Sequence, residues 1–158
     1  MKSRFFTYLF LLAIIFSCTK EKIEYHSFPE NIWNSEDEVS FDINIEDTIR
    51  LYFLNFSFRH TTSYRYQNII FFTNHYFNND KISTDTINLE LALNNGEWLG
   101  SGKSDIREFN HPYKVAERYS KGKHTFKLEL AMRENNNPEI TNLEYISDIS
   151  IYMIELDE

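Results

Sequence analysis

Residues 39–45, VSFDINI, alternate strictly between apolar and polar side chains, which is the period-2 pattern of a half-buried β-strand. Residues 66–72 differ, because consecutive apolar side chains at 69–72 put apolar groups on both faces, as in a central strand. The alternation of residues 39–45 recurs in four later segments, 52–59, 86–93, 126–133 and 146–156. No stretch shows convincing helical periodicity. The chain therefore predicts an all-β fold, a single antiparallel β-sandwich, and a jelly roll is one topology that fits.

The pattern breaks at residues 94–124, which hold all four glycines of the chain and Pro112. A connection this long is unusual in a compact domain and is often functional. We expect a loop there, interrupted by a short helix around Tyr113 to Tyr119. Residues 135–138, NNNP, predict a turn before the last strand.

The N-terminus has the order of a secretory signal peptide, with Lys2 and Arg4 before an apolar run at residues 5–16. As a helix those residues would reach about 18 Å, short of the roughly 30 Å hydrocarbon core. Ser17 directly before Cys18, the sole cysteine, is typical of a lipoprotein cleavage site. We expect residues 1–17 to be removed, Cys18 to carry lipid, residues 18–24 to form a tether, and residues 25–158 to form the β-sandwich domain.

The charge balance excludes one class of partner. The chain has a formal charge of −8, which becomes −10 when Lys2 and Arg4 leave with the signal peptide. Nucleic acid is therefore not an expected partner. No polybasic stretch predicts binding to anionic headgroups, so membrane attachment is expected to depend on the lipid at Cys18.

Residues 96–102, GEWLGSG, form the most distinctive short block. It does not match a phosphate-binding loop, because Asp105 and Glu97 stand where such motifs need glycines. We interpret it as a candidate binding or structural loop. Its glycines would allow tight turning while two apolar side chains pack against the sandwich edge. The candidate site residues are Gly96, Trp98, Leu99, Gly100 and Gly102, and an exposed Trp98 serving as a ligand platform is the alternative.

The sequence predicts no catalytic residue, cofactor or metal ligand. Its five histidines are scattered, none at metal-ligand spacing, and the one polar cluster, His75 with Asp80 and Asp85, fits a solvated turn. No nucleophile elbow or zinc-protease helix occurs, and no pair of carboxylates is evidently placed for acid–base work. Aromatic side chains could stack on sugar rings, although strands commonly contain them. These aromatic candidates are Trp33, Tyr64, Tyr66 and Tyr76.

Several blocks, in this order, resemble the gliding-motility lipoprotein H (GldH) family of Bacteroidota. The residues that carry the resemblance are Trp33, Asp47-Thr48, Arg59, Tyr64 to Asn68, Asp85 to Ile87, Leu89 to Ala92, Gly96 to Gly102, and Ala131 to Arg133. Two features depart from the family pattern: Lys103 and Ser104 intervene before Asp105, and a glycine usual near Ile149 is absent.

The resemblance implies a lipoprotein needed for gliding and for the associated secretion system, with no assigned catalytic residues. We therefore expect a non-enzymatic docking or assembly factor with envelope protein partners, held at the periplasmic side of the outer membrane. A glycan-binding surface module is the alternative, and a hydrolase a distant third.

Overall fold

The computed structural model describes residues 21–134 and 138–156. Cys18 and the signal peptide lie outside them, and so does the asparagine run at 135–137. Within these ranges the chain forms ten strands. They are β1 (Glu21–Ser27), β2 (Ile32–Asn34), β3 (Val39–Ile45), β4 (Leu51–Thr61), β5 (Asn68–Phe77), β6 (Asp80–Glu90), β7 (Ile106–Glu117), β8 (Gly122–Leu130), β9 (Asn142–Glu144) and β10 (Ile146–Leu156). A 3₁₀ turn, Pro29–Asn31, precedes β2.

Eight of these strands form two antiparallel four-stranded sheets. Sheet 1 has the order β1-β10-β4-β7, and sheet 2 has the order β3-β8-β5-β6. Among these eight strands, every connection except the β5–β6 hairpin crosses from one sheet to the other. This strand order is that of a jelly roll, so the expected all-β sandwich is confirmed and its topology is resolved. The predicted central strand, β5, is paired on both sides, with β8 and with β6.

The core lies between the two sheets. In β3 every second residue is buried, so the alternation seen in residues 39–45 points its apolar set inward. Phe56 of sheet 1 meets Phe71 of sheet 2 edge to face, with ring centroids 5.8 Å apart. Each fully buried large side chain of this kind contributes roughly 1.5–3 kcal/mol relative to exposure. The apolar core therefore joins the sheets without any need for a disulfide.

A short ribbon, β2 paired with β9, covers one end of this core. Trp33 of β2 is completely buried and stacks on Phe28 with ring centroids 4.9 Å apart. The ring centroid of Trp33 also lies 6.0 Å from that of Phe71. The tryptophan near the start of the chain is thus a core residue that closes the sandwich.

The prediction for residues 94–124 was wrong in part. No helix forms around Tyr113 to Tyr119; residues 106–117 are β7, an edge strand of sheet 1. Pro112 is tolerated there because an edge strand leaves one side of its backbone unpaired. The β4–β7 register also shifts next to Pro112, which breaks the alternation that would have revealed a strand. At the N-terminus, β1 begins at Glu21, so the last four residues of the expected tether belong to sheet 1.

The sandwich has two distinct ends. We call the one that contains Glu21 the anchor end, because β1 starts there, nearest in sequence to Cys18. It also holds the start of β4 and the ends of β3, β5 and β10. We call the opposite one the distal end. It holds the β2–β9 ribbon, the start of β7 and the loop at residues 91–105.

Candidate functional site

The block at residues 96–102 lies at the distal end and begins in a tight hairpin. Gly96 donates its N–H to the carbonyl of Leu93 at 2.8 Å, and Leu93 donates to the carbonyl of Glu97 at 2.8 Å. Gly96 has a φ of +84°, in the left-handed region, with nothing within 4 Å of where a Cβ would stand. Glycine is therefore required at position 96 because of the backbone conformation, and not because a side chain would clash with a neighbour.

The other two glycines of the block are required by close packing. A Cβ on Gly100 would lie 2.6 Å from the carbonyl oxygen of Glu108, and one on Gly102 would lie 2.0 Å from that of Ile106. Between them, Ser101 exchanges two backbone hydrogen bonds with Glu108, at 2.9 and 2.7 Å. The segment thus lies directly against the start of β7, and close packing rather than a positive φ requires glycine at these two positions.

The loop also links the two sheets. Leu91 and Ala92, which continue from β6 of sheet 2, both donate to the carbonyl of Gln67, at 2.7 and 3.1 Å. Ten residues further on, Ser101 pairs with β7 of sheet 1. The conformation of this block therefore fixes how the two sheets meet at the distal end.

Trp98 packs on a buried histidine. Its ring centroid lies 4.5 Å from that of His60, which is completely buried and bonded through Nδ1 to the carbonyl of Thr61 at 2.9 Å. Burial lowers the pKa of His60, so the ring is neutral at neutral pH and its Nδ1 donates to that carbonyl. Within the described residues its Nε2 has no hydrogen-bond partner. Trp98 is partly buried against the core, which agrees with the expectation of packing at the sandwich edge.

Leu99 does not follow Trp98 inward. Its side chain is 41% exposed, and Leu93 and Ile106 nearby are each 44% exposed. The distal loop therefore presents isolated apolar side chains to solvent around a fixed backbone. Leu99 was expected to pack on the sandwich edge, whereas the structure leaves it available for contact with another molecule.

The aromatic candidates for sugar stacking are largely inaccessible. Trp33 and Tyr64 are buried, and the Tyr64 hydroxyl donates to the carbonyl of Asn68 at 3.0 Å. Tyr66 packs against the core, and Tyr76 is half-buried on the outer face of sheet 2 beneath Lys127. These four side chains therefore do not form one exposed aromatic row.

Two of the scattered histidines, 49 residues apart in the chain, are bonded to each other. His75 Nε2 lies 3.0 Å from His124 Nδ1, and His124 Nε2 lies 2.8 Å from the carbonyl of Ser120. Since that carbonyl only accepts, His124 Nε2 carries the proton, its Nδ1 accepts, and His75 Nε2 donates. Burial, followed by the neighbouring His124, lowers the pKa of His75 to about 4. Both rings are neutral at pH 7.

The expected cluster of His75 with Asp80 and Asp85 is also corrected. Asp80 is exposed at the start of β6, whereas Asp85 accepts from the Tyr113 hydroxyl at 2.5 Å and pairs with Lys114 at 3.0 Å. These two bonds hold the pKa of Asp85 below its ordinary value. They join the edge strands β6 and β7, so the carboxylate has a structural role. Among the described residues no group of three or more potential metal ligands comes together.

Two carboxylates do share a partner on sheet 1. Arg59 lies 3.0 Å from Glu108 and 3.7 Å from Asp148. Its guanidinium sits between them, since β4 separates β7 from β10 in the sheet. Burial raises the pKa of Asp148, and Arg59 opposes that shift. Strands two apart in a sheet are separated by about 9.6 Å, so this arrangement is an ion-pair network on an open face rather than an acid–base pair in a cleft.

These features define the class of protein. It is a jelly-roll β-sandwich whose distinctive sequence block lies at one end of the fold, and the side chains of His60, His75, His124 and Asp85 take part in structural hydrogen bonds. No helix among the described residues is long and apolar enough to cross a membrane.

The comparisons with known proteins give the family. The model of the GldH lipoprotein family matches residues 21–152, and the chain belongs to that family. It is 32% identical to the gliding motility lipoprotein GldH homolog of Christiangramia forsetii, with 99% of each chain covered. It is 29% identical to gliding motility lipoprotein GldH of Flavobacterium johnsoniae, over 94% of this chain and 95% of the relative. The resemblance stated from sequence is confirmed, and this is a lipid-anchored protein of the cell envelope.

A solved structure, the insecticidal delta-endotoxin Cry8Ea1 from Bacillus thuringiensis, aligns at a TM-score of 0.41 and 14% identity. The alignment covers 80% of this chain and 19% of that one. At this score the likeness carries no argument about function.

Proposed function

We propose that this lipoprotein is a non-enzymatic docking component of the envelope machinery for gliding and its associated secretion. In this proposal, lipid on Cys18 holds it at the periplasmic side of the outer membrane. The distal end binds a protein partner. The observation that carries the proposal is the position of residues 96–102, at the end of the sandwich opposite the start of β1.

Distance supports this assignment of the distal end. β10 runs the length of sheet 1 in 11 residues, which at about 3.3 Å per residue is roughly 36 Å. A partner approaching through the periplasm would therefore meet the distal loop well away from the bilayer. The loop backbone is fixed by its contacts with β7, so the loop loses little backbone conformational entropy when Leu99 binds a partner.

Side-chain placement favours a protein partner over a glycan. Sugar binding needs exposed aromatic rings on one surface, and Trp33 and Tyr64 are buried. Exposed aliphatic side chains such as Leu93, Leu99 and Ile106 provide apolar contacts but no ring platform. An enzymatic role has no support from the described residues, whose paired carboxylates flank Arg59.

A photo-crosslinking experiment in living cells tests the proposal. A photoreactive phenylalanine analogue replaces Leu99 in the tagged, acylated protein, and a matched variant carries it at Ser40 on the outer face of sheet 2. We expect discrete protein adducts from position 99 and none from position 40. Equal adducts at both positions, or none at position 99 in cells that glide, would contradict docking through the distal end.

The membrane assignment needs its own measurement. Inner and outer membranes are separated by density, and intact cells are treated with protease. We expect the protein in the outer-membrane fraction and protected from protease. Recovery in the inner membrane, or digestion in intact cells, would contradict the periplasmic placement.

A further inference from the structure

The outer face of sheet 1 is apolar near the anchor end. Inward positions of β4 and β10 are buried core residues, so the alternate positions point outward. Tyr25 is 75% exposed and Ile23 is 50% exposed, while the others are half-buried against one another. We call this set the anchor-end patch; its residues are Ile23, Tyr25, Leu51, Phe53, Tyr152, Ile154 and Leu156.

The polarity of this face changes with distance from the anchor end. Next to the anchor-end patch, on its distal side, lie small uncharged polar side chains, including Asn55, Ser57 and Ser150. The next row is the ion-pair network of Arg59 with Glu108 and Asp148. The outer face thus runs from apolar through uncharged polar to charged, along the direction that leads away from Glu21.

The expected lipid attachment point, Cys18, is close in sequence to the anchor-end patch. Glu21 pairs with Ile154, a member of the patch. Only Thr19 and Lys20 separate Glu21 from Cys18, and three peptide steps span at most about 11 Å. The headgroup region adds only about 5–8 Å to each side of the hydrocarbon core. An acylated Cys18 therefore brings this end of sheet 1 within reach of the bilayer interface.

Sheet 2 is unsuited to the same contact. Near the anchor end its outer face carries the ion pair between Lys123 and Asp42 at 2.7 Å, and Lys121 pairs with Glu46 at 3.1 Å. Moving such charges out of water is costly. Tyrosine, by contrast, is favoured at membrane interfaces because its ring is apolar and its hydroxyl remains hydrated.

We propose that the anchor-end patch rests in the headgroup region of the bilayer, so that the domain touches the membrane with one sheet face as well as through its lipid. This inference rests on the proposed acylation of Cys18. The contact fixes the orientation of the sandwich relative to the bilayer. The seven patch side chains are uncharged, so the contact needs no anionic lipid. The exposed Glu21, opposite Ile154, lies at the end of the patch nearest Cys18 in the sequence.

Fluorescence quenching tests this contact in the full acylated protein, reconstituted in phosphatidylcholine vesicles that contain brominated acyl chains. Tyr25→Trp places a reporter on the patch, and Tyr76→Trp is the matched control on the outer face of sheet 2 at the same end. Emission of the parent protein, with its tryptophans at the distal end, is subtracted. We expect the added emission of Tyr25→Trp to be mostly lost, and that of Tyr76→Trp to be retained.

Unquenched emission from Tyr25→Trp, or equal quenching of both reporters, would overturn the contact and point to a protein or a second copy covering the patch. Ile23→Trp repeats the test at a neighbouring position, in case Tyr25→Trp disturbs β1. Failure of the protein to float with vesicles would overturn the acylation on which both proposals depend. Distal crosslinks from position 99 without quenching would leave docking intact and refute only the membrane contact.

Discussion

Acid should destabilise the domain through the buried pair of His75 and His124. His75 is only 8% exposed, and its folded-state pKa is about 4 against roughly 6.5 in the unfolded chain. Because the pKa of His75 is lower in the folded protein, its imidazole binds a proton in the unfolded chain between about pH 4 and 6.5 but not in the folded protein. The stability is therefore fully present above about pH 6.5 and is lost as pH falls toward 4.

The size of the effect follows from the two pKa values. Between about pH 7.5 and pH 5, His75 alone should reduce the free energy of unfolding by about 2 kcal/mol. Burial also lowers the pKa of His60, His111 and His124, so the total loss should exceed this value in the same direction.

Urea unfolding at several pH values measures the effect in protein that begins after the signal peptide, with Cys18→Ser. The summed emission of Trp33 and Trp98 reports unfolding, since both lie at the distal end and the histidine pair lies at the anchor end. His75→Gln keeps a donor toward His124 Nδ1 but does not titrate, so it should reduce the acid-induced loss by about 2 kcal/mol. His26→Gln, on the edge strand β1, is the control. An unchanged pH dependence in His75→Gln would refute the reasoning.

Three further predictions concern the distal loop and the anchor. Trp98→Ala should lower the free energy of unfolding by about 2–3 kcal/mol. This is less than for a fully buried tryptophan, because the ring of Trp98 is only partly buried. An unaltered urea midpoint would contradict this packing. Gly100→Ala should lower the free energy of unfolding by about 1–3 kcal/mol, because the added Cβ clashes with the backbone of β7. Gly96→Asn should lower it by less, because Asn tolerates a positive φ. A larger loss for Gly96→Asn than for Gly100→Ala in urea unfolding would refute these roles. Cys18→Ala should release the protein from membranes, and unchanged pelleting without acyl incorporation would refute lipid attachment at that residue.

The strands that sequence reveals are those with one face on the core and one in water. The alternation at residues 39–46 predicted β3 to within one residue, and the central position of β5 followed from its apolar groups on both faces. β7 escaped detection because an edge strand with Pro112 and a shifted register does not alternate cleanly. No residue in the first half of β6 is buried, so only its second half showed the alternation typical of a half-buried strand. Pattern reading thus succeeds where burial is one-sided and fails at exposed edges.

The candidate loop was found from sequence, but the reasons for its glycines were separated only by structure. Tight turning was expected of all of them. Gly96 is fixed by its backbone angle, whereas Gly100 and Gly102 are fixed by the backbone of β7, which sequence did not place nearby. The pairing of His75 with His124 was equally hidden, since the two belong to different strands, β5 and β8.

By itself the sequence determined the all-β class, the alternation that faces the core, the predicted lipid at Cys18 and the family. Each of these depends on neighbours along the chain or on an ordered series of short blocks. Only the tertiary structure decided the jelly-roll order, the neutral histidine pair, and the opposite placement of the distal loop and the anchor-end patch. The physical reason is that all of these depend on which strands pair, and that is settled by packing between residues far apart in the chain.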